Sequence, residues 1–535
     1  MRGLESFLSD VECLFLGWNA SVRRVCPMTS ISCKISTSPT SSSPTLASPM
    51  RVAFCTSEAV PYAKTGGLAD VSGALPAAVA LLGAEVKMFM PLYDSIRVDD
   101  YGFVFSGELQ GLQVPIGGRM QHVNVFYGHL PESTVEVYLI DCPHYYHRGT
   151  VYTSDRDEDE RFILLQHAAF LIMQRYGWSP DVLHCNDWQS SLMPLMARSV
   201  YGWDGLFANT ASVLSIHNIG YQGLFPEASI DRAGLPKKGW YPGGPYEASG
   251  AFSFLKTGIV YADIVSTVSE TYAHEIQTPR FGAGLDGVLR DRGGDLFGIL
   301  NGIDPAIWNP ETDAHIHTNY SAESLDLKEE NKKALLADFG LPYDPEIPLF
   351  GIVSRLTDQK GFDLLQPILG SLLQEGRLQL VVLGSGQKNL EQFFDAAQAA
   401  FPALVGVNVG YDDALAHRIE AGSDCFLMPS HYEPCGLNQM YSLAYGTIPI
   451  VHKTGGLADT VHDWHELGGQ GNGFSFYDAS AFALLTTINR AIALFRDKEA
   501  WRAMQIRGMA TDNSWSSSAQ RYMDLYWRAV DKKRG

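Results

Sequence analysis

Cysteine is scarce in this chain and never closely spaced. Eight occur among 535 residues (Cys13, Cys26, Cys33, Cys55, Cys142, Cys185, Cys425 and Cys435), and none forms a C-x-x-C pair. That spread argues against a disulfide framework and for reduced thiols in a reducing compartment. No apolar run reaches the roughly 18 residues that a membrane-spanning helix needs. Positive charge is in deficit: 40 Lys and Arg stand against 59 Asp and Glu, a formal net charge of −19. Such a field repels nucleic acid and anionic membranes, which sets both aside as partners. It also repels anionic small substrates, so a site for one needs local Lys and Arg. Three signatures are missing as well. There is no G-x-x-x-x-G-K-[ST] phosphate loop, and no His/Cys cluster has metal-ligand spacing. Gly384-Ser-Gly386 lacks the rest of a dinucleotide fingerprint because position 389 is Asn.

What is present reads as a globular protein: 46% of residues are hydrophobic and 19% charged. The 51 glycines suit an α/β fold with ligand-binding turns. The length suggests two to four domains of about 150 residues each. Residues 1–49 stand apart. Their second half is rich in Ser, Thr and Pro, and no acidic residue follows Glu12 within them. They read as a disordered extension, as a plastid transit peptide, or as an artefact of a start at Met50. Glu5, Asp10 and Glu12 count against the transit peptide. The expected location is the cytoplasm, with the plastid as alternative.

From Val52 onward the sequence alternates between strand-like and helix-like runs. Val52–Thr56, Glu85–Met90, Asp181–Cys185 and Ser212–Ile216 are strand-like, with helical patterns through Leu75–Leu82 and Ser191–Val200. A second series begins at Leu349–Val353 and runs through Phe362–Leu373, Leu378–Leu383, Ala414–Ala421, Asp424–Met428 and Thr447–Val451. Alternation of this kind implies parallel sheets covered by helices on both faces. The expected architecture is α/β, with two doubly wound Rossmann-like domains facing across a cleft. Residues 50–310 form the first, 311–345 a linker region, 346–515 the second, and 516–535 a C-terminal helix. Ligand sites of such sheets lie at the carboxyl ends of their strands.

Five segments at strand ends carry candidate chemistry. Lys64-Thr65-Gly66-Gly67 opens a helix; glycines admit a close ligand, and free amides at the helix start attract anions. The bland reading is a structural turn. The sequence Lys-Thr-Gly-Gly-Leu-Ala-Asp recurs at 453–459, so each domain either presents such a turn to the cleft or uses it to start a helix. Asp187 follows His184 at a strand end and reads as a helix cap or a ligand contact. His217 and Asn218 end another strand ahead of two glycines and read as a ligand contact, or His217 as a structural histidine; Asn301-Gly302 reads as a turn. Arg355 and Lys360, five residues apart in one loop, read as a clamp for a diphosphate leaving group or as a solvated loop with both charges in water. Glu433-Pro434-Cys435-Gly436-Leu437 places a carboxylate just before a helix, where amides of Gly436 and Leu437 can meet phosphate; the alternative is a dipole-favoured acidic residue. The acidic run Asp155–Glu160 reads as a solvated helix start.

Together these segments resemble the bacterial glycogen synthase and plant starch synthase family, glycosyltransferases of the GT-B fold. The motifs Lys64–Asp70, Ile216–Gln222, Asn301–Asp304, Arg355–Gly361 and Glu433–Leu437 occur in the family's order, and the resemblance runs from about Met50 to Tyr526. One departure is Gln189, where many members carry His. The resemblance implies retaining transfer of glucose from ADP-glucose to an α-1,4-glucan, with no cofactor and no metal. It implies that Lys64 contacts the donor diphosphate, with Gly66 and Gly67 beside it, and that Arg355 and Lys360 neutralise the departing ADP. Glu433 is implied beside the glucosyl ring, with Cys435, Gly436 and Leu437 near phosphate and sugar. Asp187 and His217 shape the reacting centre, Asn301 borders it, and Tyr411 stacks on the base. Alternatives are a catalytically silent glucan-binding relative, the same transfer from UDP-glucose, and an α-glucan phosphorylase, for which no pyridoxal-phosphate signature is present. Oligomeric state is not legible.

Overall fold

A computed structural model of the chain describes residues 49–535. The segment on which the targeting and disorder readings fall, up to residue 48, lies outside the described residues.

The first sheet has ten strands. Its centre is the strand Arg51–Cys55, buried along all but its first residue. This strand pairs in parallel with Glu85–Pro91 on one side and Val182–Asn186 on the other. The parallel order continues through Ala211–Ile216, Ile264–Thr267 and Leu296–Gly298 at one edge and Glu136–Asp141 at the other. Beyond Glu136–Asp141 the long strand Arg119–His129 turns antiparallel. The inner strands of this sheet are buried along their length because helices cover both faces, and polar residues such as His184, Asn186 and Ser215 are buried within them. The chain leaves the central strand to build one flank, then returns to its other side. That reversal puts a crevice beyond Cys55 and Asn186.

The second sheet has six parallel strands, and the central Leu349–Val353 lies between Gln379–Gly384 and Cys425–Met428. Read from the first strand of this sheet, the order is the 3-2-1-4-5-6 arrangement of nucleotide-binding α/β folds. Side-chain alternation is visible in the cores. Leu380 and Val382 join one buried cluster, while Val381 and Leu383 join another on the opposite face.

The domain limits differ from the sequence expectation. Residues expected as a linker contain the helix Lys328–Asp338, whose Leu335 and Leu336 belong to a core of the second domain. Trp308 already stacks between His417 and Tyr441 of that domain, with ring centroids 3.8 and 3.7 Å away. The C-terminal helix Trp515–Arg534 returns to the first domain. Trp515, Ala519, Tyr522, Tyr526 and Val530 join the first domain's core on one helical stripe. Tyr526 bonds His184 Nδ1 at 2.7 Å. The expected helix Ser191–Val200 is shorter, Met193–Arg198, and a separate turn of helix, Asp187–Ser190, precedes it. Pro194 sits in the first turn of Met193–Arg198, where its missing N–H costs nothing. No described helix is long and apolar enough to cross a membrane.

Candidate active site

The second domain builds its half of the site where Leu349–Val353 and Cys425–Met428 part. The loop after Val353 carries Arg355 and Lys360; the loop after Met428 carries Ser430 and Glu433. Lys360 Nζ donates to Glu433 Oε2 at 2.6 Å, and Ser430 Oγ donates to the same oxygen at 3.0 Å. Glu433 is 7% exposed, so its charge is met by protein groups rather than water. Arg355 is exposed and forms no ion pair among the described residues. Asn438 Nδ2 donates to Val353 O at 2.8 Å, which ties the segment after Glu433 to the central strand. Gly436 takes a left-handed φ of 73°, and a Cβ there would lie 2.4 Å from Gln439 Oε1. Leu437 caps the helix Asn438–Ala444 without a side-chain bond; its carbonyl accepts the Met440 amide at 2.8 Å, and among the described residues the amides of Asn438 and Gln439 have no hydrogen-bond partner. Burial pushes the Cys435 thiol up to about 12, so it is protonated at neutral pH. Tyr411, just past the strand Val405–Val409, is 82% exposed, with its hydroxyl on Asp413 at 3.1 Å.

The first domain contributes from the ends of Arg51–Cys55, Val182–Asn186 and Ala211–Ile216. Glu58 accepts from Thr65 N at 2.5 Å, Thr65 Oγ1 at 2.9 Å, Gly66 N at 3.3 Å and Tyr152 OH at 3.1 Å. This buried carboxylate organises the glycine turn, and burial raises its pKa against those bonds. A Cβ at Gly66 or Gly67 would point into open space. Lys64 Nζ rests on Asp70 at 2.7 Å.

Asp187 has φ 51°, a costly conformation for a residue with a side chain and common at functional positions. Its Oδ1 accepts His217 N at 2.7 Å. It therefore does not cap its own helix, as the simpler reading held. Burial pushes its carboxyl up to about 7, opposed by the backbone N–H groups of His217 and Asn218. Asn186 donates through Nδ2 to Cys55 O, which turns its Oδ1 toward His217 Nε2 at 3.0 Å. His217 Nε2 therefore carries the proton and Nδ1 is an acceptor. Burial lowers His217 to about 4, so the ring is neutral near pH 7. Asn301 is buried, and among the described residues its Oδ1 has no partner.

Lys64, Gly66, Gly67, Asp187, His217, Asn301, Arg355, Lys360, Tyr411, Glu433, Cys435, Gly436 and Leu437 all line one cleft of about 1660 Å³ between the two sheets' carboxyl edges. Gln189 lines it too, buried in place of the family's common His. Asn218, named with His217 at its strand end, joins the lining, as do Glu58 and Tyr152, which no motif in the sequence marked. The second copy of the repeat, 453–459, does not line the cleft. The acidic run is solvated only in its first half: Asp155 is exposed, whereas Glu158, Asp159 and Glu160 are buried, and Arg161, Arg232 and Arg119 pair with them at 2.7–2.9 Å. Among the described residues no group of three or more His, Cys, Asp or Glu side chains is placed to hold a metal ion.

Residues 51–291 match the family model of the starch synthase catalytic domain, and residues 338–503 that of glycosyl transferases group 1. Two facing Rossmann-like domains, with strand-end loops meeting in one cleft, make this a glycosyltransferase of the GT-B architecture. Glycogen synthase of Syntrophotalea carbinolica is 44% identical over 486 residues, covering 90% of this chain and 99% of that protein. Glycogen synthase 1 of Methylococcus capsulatus is 46% identical over 494 residues, with 90% and 97% covered. The catalytic domain of starch synthase IV from Arabidopsis thaliana, solved bound to ADP and acarbose, superposes with a TM-score of 0.83 at 32% identity, covering 91% of this chain and 100% of that one. The chain belongs to the glycogen synthase and starch synthase family. A sucrose-phosphate synthase from Thermosynechococcus elongatus shares the fold at 16% identity and a TM-score of 0.56.

Proposed function

We propose that the protein transfers glucose from ADP-glucose to the non-reducing end of an α-1,4-glucan with retained anomeric configuration, as a glycogen or starch synthase. The observation that carries this reading is the Lys360–Glu433 pair at 2.6 Å in the same cleft as Arg355, which forms no ion pair among the described residues. It stands at the switch point of one sheet and faces Asp187 and His217 at that of the other. In an acidic protein these cations are where a departing diphosphate finds compensation. Lys64 adds a third from the opposite domain. Preorganised charge of this kind stabilises the transition state without reorganisation at the moment of reaction.

Glu433 is held beside the sugar, not as a nucleophile: its Oε2 is engaged by Lys360 and Ser430. The acceptor hydroxyl attacks C1 from the face that the diphosphate leaves. The bond from C1 to the β-phosphate oxygen breaks, the bond from C1 to the acceptor O4 forms, and the hydroxyl proton passes to the departing phosphate. Neutral His217 and buried Asp187 bind the glucosyl hydroxyls around that centre, and Asn301 accepts from one of them. Tyr411 stacks on the base. A relative solved with ADP and acarbose supports an adenine nucleotide and a glucan-type ligand in this cleft. Closure of the two domains expels the water that would hydrolyse the donor.

The test is glucan-dependent release of nucleoside diphosphate from ADP-glucose and UDP-glucose, each with and without a chelator. Turnover of ADP-glucose alone, unaffected by the chelator, is the expected result. Turnover of UDP-glucose alone overturns the donor assignment, loss under chelation overturns metal-free catalysis, and no release with either donor makes the protein a glucan-binding relative without activity.

A further inference from the structure

The second Lys-Thr-Gly-Gly-Leu-Ala-Asp copy takes no part in the chemistry above, yet it stands directly behind the Glu433 loop. Gly455 adopts a left-handed φ of 44°, and a Cβ there would lie 2.0 Å from Glu433 O. A Cβ at Gly456 would lie 2.1 Å from Cys435 O. Gly456 N–H donates to Glu433 O and Pro434 O, both at 3.2 Å. The backbone of residues 433–435 therefore rests on this turn with no space between them.

The turn is gripped from the other domain. Glu275, ending the helix Glu270–Glu275, accepts Thr454 Oγ1 at 2.8 Å and Gly455 N–H on both carboxylate oxygens at 3.2 Å. At the start of the same helix, fully buried Ser269 donates its hydroxyl to Pro434 O at 2.7 Å. Asp459 accepts from Thr271 N at 3.0 Å and from Thr271 Oγ1 at 2.5 Å. The first copy works alike: Thr65 and Gly66 hold the carboxylate of Glu58. The repeat is a carboxylate clasp used twice, once within a domain and once between domains.

We propose that Glu275, assisted by Ser269, is a positioning residue: acting from the first domain through the Thr454–Gly456 turn, it sets the Glu433–Cys435 backbone in the second. The Glu433 carboxylate and the amides after it then take their donor-site geometry only while this interdomain contact holds. The kinetic consequence rests on the proposed glucosyl transfer; the structural one does not.

The test uses the full chain carrying Glu275→Ala, Glu275→Gln or Thr454→Val. In Glu275→Ala, kcat with ADP-glucose falls about ten- to a hundredfold, the usual penalty for a misplaced reacting group. ADP binding measured without glucan weakens, while KM for glucan stays at the wild-type value. Glu275→Gln recovers part of the loss because its Oε1 still accepts from Thr454. Backbone amide exchange accelerates within 432–437 and 453–459 and not elsewhere. Wild-type exchange and wild-type ADP affinity in folded Glu275→Ala and Thr454→Val overturn the proposal, as does acceleration spread evenly through the chain. If Glu275→Ala does not fold, Glu275→Gln and Thr454→Val are judged by the same criteria. If the wild type does not turn over glucose, the functional reading fails and the exchange pattern still decides this one.

Discussion

At the residue scale the cleft is a set of paired charges whose pairing is part of the chemistry. Removing Lys360 leaves Glu433 buried with Ser430 as its remaining partner, and an uncompensated buried carboxylate is destabilising. Lys360→Ala is expected to lower kcat by about a hundred- to a thousandfold, in the range of a lost transition-state donor, and also to lower Tm. The double variant Lys360→Ala/Glu433→Gln regains Tm, since the stranded charge is gone, without regaining activity. Thermal melts beside ADP-release assays separate the two effects. Asp187 makes a pH-dependent prediction. Its folded pKa is pushed up to about 7 by burial. Between the unfolded value of about 3.9 and that point, the folded state holds a proton the unfolded state has lost, so stability falls as pH rises through the window. Asp187→Asn keeps an oxygen for the His217 amide and removes the charge. Its Tm advantage over wild type is expected to be larger at pH 8 than at pH 5, and an equal or smaller one contradicts a buried, raised carboxyl.

Elements explain why two polar stretches were misread from sequence. Lys328 opens a helix within a stretch expected as linker, and nothing in its neighbours marks it as buried. In the fold its Nζ donates to Ala421 O and Thr447 Oγ1, both at 2.7 Å, and to Glu420 O at 3.1 Å. It meets the carbonyls at the end of the helix Asp413–Gly422, where a cation is favoured. The acidic run at 155–160 likewise looks solvated until Arg161, Arg232 and Arg119 arrive around it, two of them from distant segments. The C-terminal helix yields the element-scale prediction. Its Tyr526 hydroxyl bonds Nδ1 of buried His184, whose Nε2 is taken by Ser215. Tyr526→Phe strands that nitrogen, and the expected cost is about 1–3 kcal/mol in urea unfolding. A neutral result would show that the helix docks on apolar contacts alone.

For the whole molecule, three histidines are buried in the first domain with lowered pKa values: His167 at about 4, His184 at about 3 and His217 at about 4, each because burial disfavours the charged ring. The unfolded rings titrate near about 6.5. Their contribution is fully present above that pH and is lost as pH falls toward the folded values. The three rings pull the urea midpoint down between pH 6.5 and pH 4, against Asp187 and Glu420, whose carboxyls burial pushes up to about 7 and about 8. Replacing one ring in His167→Gln is expected to make the midpoint fall less over that interval than in wild type, and an equal or larger fall would contradict neutral burial of that ring.

Two doubly wound domains were legible in the sequence because a strand buried on both faces must be apolar along its length, and a helix beside it must be periodic. The cleft residues were legible because strand ends followed by Gly, Asn, Lys or Arg are where a parallel sheet exposes polar backbone to a ligand. Sequence alone could not say what becomes of one heptapeptide written twice. Lys64–Asp70 faces the cleft, with its carboxylate partner Glu58 six residues upstream of Lys64. In Lys453–Asp459 the stretch Thr454–Leu457 is buried, with Glu275 arriving from the other domain. Local sequence determines the turn and the helix that follows it; the partner that fills the turn is a long-range contact, and only the packing of two domains supplies it.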